Sequence, residues 1–178
     1  MRLRFRLAAA AAAAATCVTL GLTGITPASA SGSTVINQKP TSPPTLMCLQ
    51  GNANTNGGLA TLQPCNGGAL GQQWTAVYTN MDMRDYTIEN GYNQCLGINH
   101  HYTTAGAHVI VRKCSGAADE YWGFDSSAYS GDCKIVNVNS RLVIGPANGD
   151  TTQGTDVNEQ TPDGYLYQLW SEPAGAVC

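Results

Sequence analysis

The sequence predicts an all-β domain built from three copies of one unit that close on themselves. Three observations carry that expectation. Trp74, Trp122 and Trp170 are the three tryptophans of the chain, and they stand 48 residues apart. Two of them close a Gln-x-Trp triplet, Gln72-Gln73-Trp74 and Gln168-Leu169-Trp170; the middle copy, Glu120-Tyr121-Trp122, has a carboxylate in place of the amide. After residue 30 no segment sustains an apolar stripe of helical period, whereas short Val/Ile/Thr/Tyr runs alternate with turn pairs. A fixed period of this kind marks a repeat architecture. Closure suits three copies better than an open solenoid, because it removes the exposed sheet edges.

The first thirty residues stand apart from the repeats. Arg2, Arg4 and Arg6 precede an uncharged, alanine-dominated stretch from Leu7 to Leu22, and Ala28-Ser29-Ala30 follows. This is the pattern of a secretory signal peptide cleaved after Ala30. A signal anchor is the alternative, against which Gly24, Pro27 and the small residues before the cleavage triplet argue. A lipoprotein reading through Cys17 lacks the leucine and small residue that would precede such a cysteine. Of nine basic residues the segment removes three, so the mature chain, 31–178, has six against twelve acidic residues, a net charge of −6. Such a chain attracts neither nucleic acid nor acidic membrane surfaces. No second apolar run reaches membrane length, so membrane insertion after cleavage is not expected. The expected organisation is one secreted, extracellular, monomeric domain.

Within the repeats each element recurs in order. A β-branched residue stands two before an asparagine in Val35…Asn37, Ile88…Asn90 and Ile135…Asn137. Cys48-Leu49, Cys95-Leu96 and, without cysteine, Val143-Ile144 come next. A glycine then introduces an apolar strand at Gly57-Gly58-Leu59, at Gly106 before Val109 and at Gly154 before Val157. Asn56-Gly57, Asn66-Gly67, Asn90-Gly91 and Asn148-Gly149 supply the positive φ that tight hairpin turns need. Six cysteines follow residue 30: Cys48, Cys65, Cys95, Cys114, Cys133 and Cys178. An even count in an exported chain reads as disulfides, and six permit fifteen connectivities. No two are two to four residues apart, which argues against a zinc site.

Three repeats with Cys-Leu near the start and Gln-x-Trp near the end resemble the ricin-type β-trefoil, the family of R-type lectins and related carbohydrate-binding modules. The resemblance spans about residues 33–175. It implies twelve strands, a six-stranded barrel capped by three hairpins. In the register of the repeats it implies Cys48–Cys65 and Cys95–Cys114 bridges. Val143 and Pro162 hold the matching places of the third copy, which leaves Cys133 with Cys178, an intermolecular pairing being the alternative. Each bridge would contribute about 3–4 kcal/mol by loop closure.

The threefold equivalence of the tryptophans assigns them to the core and not to a sugar platform. Sugar-binding members of the family use an aspartate two residues after the first cysteine, an aromatic two before the second, and an amide pair before the closing tryptophan. Here the aspartate place holds Gln50, Gly97 and Gly145, and the aromatic place holds Gln63, Arg112 and Gln160. The amide pair is Gly71-Gln72, Asp119-Glu120 and Tyr167-Gln168. The first repeat keeps most of the polar set, so Gln50, Gln63, Asn66 and Gln72 are its candidate contacts to hydroxyls. In the second, Asn99-His100-His101-Tyr102 offers rings, with His100 and Tyr102 as candidate stacking residues. Metal chelation by His100, His101 and His108 is disfavoured, since neighbours on an extended chain point opposite ways.

Asp119 and Glu120 are adjacent and do not form an acid and base flanking a bond, and the chain holds no nucleophile elbow or phosphate loop. The expectation is a secreted, non-catalytic, lectin-like module that uses no cofactor and binds polysaccharide or glycoconjugate glycans weakly. The alternative is a trefoil that binds a protein partner, such as a protease inhibitor.

Overall fold

The computed structural model describes residues 32–42, 44–52, 56–80, 85–129 and 131–178. The expected signal segment, 1–30, lies outside the described residues. The strands are β1 (Met47–Gly51), β2 (Gly58–Pro64), β3 (Trp74–Asn80), β4 (Asp85–Asn90), β5 (Gln94–Ile98), β6 (Val109–Lys113), β7 (Trp122–Ser126), β8 (Asp132–Asn137), β9 (Val143–Pro146), β10 (Val157–Gln160) and β11 (Trp170–Ser171). All pair antiparallel, in the path β1-β2-β6-β5-β4-β7-β8-β9-β10, with β3 added on β4 and β11 on β8. In each repeat a single 3-10 turn ends immediately before the residue preceding the tryptophan: Leu70–Gln72, Ala118–Glu120 and Leu166–Gln168.

This is the β-trefoil, with eleven strands among the described residues where the family resemblance implied twelve. Residues 33–37 occupy the twelfth place as isolated bridges, Ser33 to Trp74, Ile36 to Cys48 and Asn37 to Trp170. The short ladder has a local cause: β11 is two residues long, and Pro173 soon after it has no N–H to donate.

Three hydrogen bonds close the repeats into a ring. The amide of Gly57 donates to the carbonyl of Val111 (2.9 Å), Gly106 to Glu159 (2.8 Å) and Gly154 to Leu62 (2.8 Å). Each repeat thereby hands its glycine turn to the next. These glycines sit at φ of +90°, +93° and +88°, the left-handed region that other residues enter only at a cost.

The three tryptophans are fully buried, and each indole N–H donates to a carbonyl one repeat element away: Leu49 (2.9 Å), Leu96 (3.0 Å) and Ile144 (3.0 Å). They belong to the core, as their equivalence implied. Around them the buried cluster repeats in threes: Val35, Ile88 and Ile135; Leu49, Leu96 and Ile144; Ala60, Val109 and Val157. The disulfides are Cys48–Cys65, Cys95–Cys114 and Cys133–Cys178, with Cα separations of 5.0, 4.9 and 5.9 Å. Among the described residues no helix is long and apolar enough to cross a membrane.

Candidate functional site

The glutamine of Gln-x-Trp is a clamp inside each of the outer repeats. Gln72 is 1% exposed. Its Nε2 donates to Oε1 of Gln50 (2.9 Å) and to the carbonyl of Pro64 (3.1 Å), and its Oε1 accepts from the Asn66 amide (2.7 Å). Gln168 repeats the pattern, donating to Gln160 Oε1 (3.1 Å) and the Thr161 carbonyl (3.0 Å) and accepting from the Asp163 amide (2.9 Å). Gln72, read from the sequence as a ligand contact, therefore spends its amide on holding the loop after β2. Gln50 gives its oxygen to the same clamp. Gln63 is half-buried, 3.4 Å from the Thr61 hydroxyl, and Asn66 is exposed with its oxygen accepting from the Gly68 amide (3.1 Å). Gln72 joins Gln50 and Asn66 through its amide, whereas Gln63 contacts Thr61 and not the other three.

In the second repeat a charged network replaces the amide clamp. Glu120 accepts from the amides of Ser115 (2.9 Å) and Gly116 (2.8 Å), from the Ser115 hydroxyl (2.8 Å) and from Arg112 Nε (2.7 Å). The same guanidinium meets both oxygens of Asp119 through Nη2 at 2.8 and 2.7 Å, and Asp119 also accepts from the Ile98 amide (2.7 Å) and pairs with His101 Nδ1. Burial alone would raise both carboxyl pKa values. The bonds from His101, Ile98 and Arg112 to Asp119, and from Arg112, Ser115 and Gly116 to Glu120, outweigh it and hold both below the ordinary range. Arg112 stands where the family pattern has a ring, and this network engages it fully.

At the aspartate places of the second and third repeats, side chains from elsewhere stand close to the glycine. A Cβ at Gly97 would lie 3.1 Å from Asp119 Oδ2, and one at Gly145 would lie 2.9 Å from Gln160 Oε1. In the second repeat the carboxylate still arrives beside that place, but from Asp119.

A second exchange sets the rings. The turn after β5 and the turn after β9 share one backbone. His100 (φ +53°) and His101 (+57°) match Asn148 (+56°) and Gly149 (+65°), two consecutive left-handed residues. A Cβ at Gly149 would meet the Tyr167 ring at 3.0 Å, so a side chain there would displace the ring. In the second repeat the residue matching Tyr167 is the smaller Asp119, and the His101 imidazole reaches it instead. His101 is 60% exposed over a carboxylate that is 1% exposed. His100 and Tyr102 stand with ring centroids 5.5 Å apart, and Tyr102 is exposed. His108 turns to Asp156, 3.6 Å away, so the three histidines do not converge.

The third repeat carries a groove of about 300 Å³ lined by Asn148, Gly149, Asn158, Gln160, Asp163 and Tyr167 among others. Tyr167 lines it, and Tyr165, 65% exposed, stacks on Tyr167 with centroids 5.8 Å apart and planes within 14°. The Tyr167 hydroxyl donates to the Asp163 carboxylate, which pushes its pKa up to about 12. Asp163 also accepts from the Tyr165 amide (2.9 Å). Across from them Lys39 donates to the Gly149 carbonyl (2.5 Å) with its ammonium 5.8 Å from the Tyr167 ring centroid, and Asn37 donates to the Tyr167 carbonyl (2.8 Å). A larger groove of about 700 Å³ runs beside the β3–β4 hairpin; Gly67, Gly68, Leu70 and Gln73, which flank the Gln72 clamp, form part of its wall, but no aromatic ring lines it.

Position-by-position reasoning missed the tyrosine pair because it assigned Tyr167 to an amide place. The signal was present as two tyrosines, one residue apart, directly after Asp163-Gly164.

The family model described as the ricin-type beta-trefoil lectin domain matches residues 41–170. No curated protein matches the sequence. Among solved structures the chain is similar to the designed threefold-symmetric protein ThreeFoil, with TM-score 0.69 and 20% identity over 79% of this chain and 96% of that one. It is similar to the Macrolepiota procera ricin B-like lectin in complex with lactose, with TM-score 0.63 and 19% identity over 82% and 95%. It is also similar to 1,3Gal43A, an exo-beta-1,3-galactanase from Clostridium thermocellum, with TM-score 0.64 and 17% identity over 82% of this chain and 30% of the enzyme. At these identities the likeness is one of fold. With 130 of its 178 residues matched, the chain belongs to the ricin-type β-trefoil lectin domain family.

Proposed function

We propose that the protein is a secreted carbohydrate-binding module that acts by binding alone, with its principal glycan site in the third-repeat groove. The observation that carries this reading is the stacked Tyr165–Tyr167 pair, of which Tyr165 is exposed and Tyr167 lines a groove with the amides of Asn148, Asn158, Gln160 and Gln168 and the Asp163 carboxylate. A ring covers the C–H face of a sugar while amides exchange hydrogen bonds with its hydroxyls, the usual composition of a small-ligand site. Asp163 on the rim and a net charge of −6 after signal cleavage favour neutral glycans over uronates. The lactose complex of the Macrolepiota procera lectin supports glycan binding by this architecture. Three disulfides fit an oxidising, extracellular compartment. Gln50, Gln63 and Asn66 offer a weaker polar surface in the first repeat, with Gln72 holding it, and His100 with Tyr102 offers a second ring surface. The domain works as a monomer.

The test is retention of the protein on insoluble and immobilised polysaccharides (xylan, arabinan, chitin, galactose resin), beside Tyr165→Ala, Tyr102→Ala and Gln50→Ala. The expected result is retention on at least one neutral glycan, weakened about tenfold, or 1.4 kcal/mol, by Tyr165→Ala and less by the other two. Retention that responds only to Tyr102→Ala or Gln50→Ala would move the site to the second or first repeat. Retention on none of them would overturn the carbohydrate reading.

A further inference from the structure

One core layer departs from threefold equivalence. Counted back from the matching places Gln63, Arg112 and Gln160, the layer consists of Leu62, Val111 and Glu159, all with no exposed surface. All three carbonyls accept from the glycine turns that close the ring, so the backbone places them identically. Two repeats thus put an alkyl side chain where the third puts a carboxyl.

That carboxyl is poorly served. One oxygen receives the hydroxyl of Ser140, from the turn between β8 and β9, and the other is buried without a hydrogen-bond partner among the described residues. The elements packed against β10 bring little to neutralise it. β9 and β2 contribute no ionisable side chain. β6 contributes Arg112, already held by Asp119 and Glu120, and the exposed Lys113. Arg141 of the neighbouring turn is exposed, and His108, bridged to Asn158, faces Asp156. Asp119 adds a like charge. Burial pushes the Glu159 carboxyl up to about 7; the Ser140 bond opposes it without cancelling it, and the Asp119 charge adds a smaller upward push.

The same strand builds the groove. Asn158 and Gln160 flank Glu159, and Gln160 ties the groove wall to Pro146 (2.8 Å) and to Gln168 (3.1 Å). The third repeat also lacks the β9–β10 disulfide of its counterparts, with Val143 and Pro162 in the cysteine places. Of the three equivalent hairpins β1–β2, β5–β6 and β9–β10, a charge forced into this layer acts on the one without a disulfide.

We infer that Glu159 is a proton-operated switch in the core of the third repeat: neutral, it packs as Leu62 and Val111 do; ionised, it loosens β10 and the groove wall. The role of the groove as a glycan site rests on the function proposed above; the switch does not. The direction follows from linkage. The folded state holds the proton more tightly than the unfolded chain, so this contribution is full below the ordinary carboxyl value of 4.5 and is lost as pH rises from there through about 7.

Urea unfolding of the protein from pH 5 to 8.5, beside Glu159→Gln and Glu159→Leu, tests it. For the wild type the folding equilibrium constant falls on the order of 10²-fold across that range relative to Glu159→Gln, which cannot ionise. Amide hydrogen exchange at pH 8 reads the location: β10 and Gln168 exchange faster in the wild type than in Glu159→Gln, while β1 and β2 do not differ. Parallel pH profiles for wild type and Glu159→Gln would overturn the proposal, even if Glu159→Leu failed to fold. Faster exchange spread evenly over the chain would overturn the local switch. A switch that passes both tests in a protein retained by no glycan would sink the carbohydrate reading alone.

Discussion

The second and third repeats place buried carboxylates around the same barrel and treat them in opposite ways. Asp119 and Glu120 are met by a forked guanidinium, three backbone amides, a hydroxyl and an imidazole, and their pKa values fall. Glu159 is met by one hydroxyl, and its pKa rises. The lesson is that burial does not set the charge of an acid; the number of donors aimed at it does. The two repeats also fill one ring position from opposite sides, with His101 reaching over Asp119 in one and Tyr167 stacked on Gly149 in the other. In the second repeat the chemistry is turned inward on itself. In the third the ring and the amides face a groove.

The largest expected effect breaks the second repeat. Arg112→Met leaves two buried carboxylates without their cation and lowers stability by about 3–5 kcal/mol, read as the urea midpoint at pH 7. Arg112→Lys keeps the charge but cannot fork to both acids, so it falls between.

Next come the opposed pH arms. Asp119 and Glu120 have folded pKa values below the unfolded ones, so their contribution is present above pH 4 or so and is lost as pH falls through the depressed values. Thermal unfolding from pH 5 down to pH 2.5 shows this acid arm in the wild type, and Asp119→Asn flattens it. Glu159→Gln leaves the acid arm in place, because Glu159 acts on the neutral side.

A smaller effect probes the third-repeat ring. Gly149→Ala puts a methyl 3.0 Å from Tyr167 at positive φ, costs about 1–2 kcal/mol and weakens glycan retention through the displaced ring. The smallest effect goes the other way. His100→Asn gives the second repeat the residue that the third uses at the same left-handed position, and gains a few tenths of a kcal/mol in urea unfolding.

The fold could be read from the sequence because its marks are repeated and simple. Three tryptophans on one period must share one environment, and each glycine turn before the second strand needs a positive φ that few residues adopt. The missing twelfth strand was not readable, because it depends on how far residues 33–37 can pair beside Pro173. The site was harder for a related reason. Gln72 and Glu120 look alike as polar residues before a tryptophan, and only the loop geometry shows that both are clamps. Glu159 reads as one more acidic residue until its place beside Leu62 and Val111 is seen. Tyr167 was hidden because in this chain the stacking ring comes from a position where the family pattern has an amide.

The most direct test of the central claim is a backbone amide chemical-shift titration of the protein with a soluble oligosaccharide from whichever polysaccharide retains it. The account predicts shifts concentrated at Asn148, Gly149, Asp163, Tyr165 and Tyr167, with smaller ones at Tyr102 and near none at Gln72. Shifts centred on Gln50 and Gln63, with the third repeat silent, would contradict it.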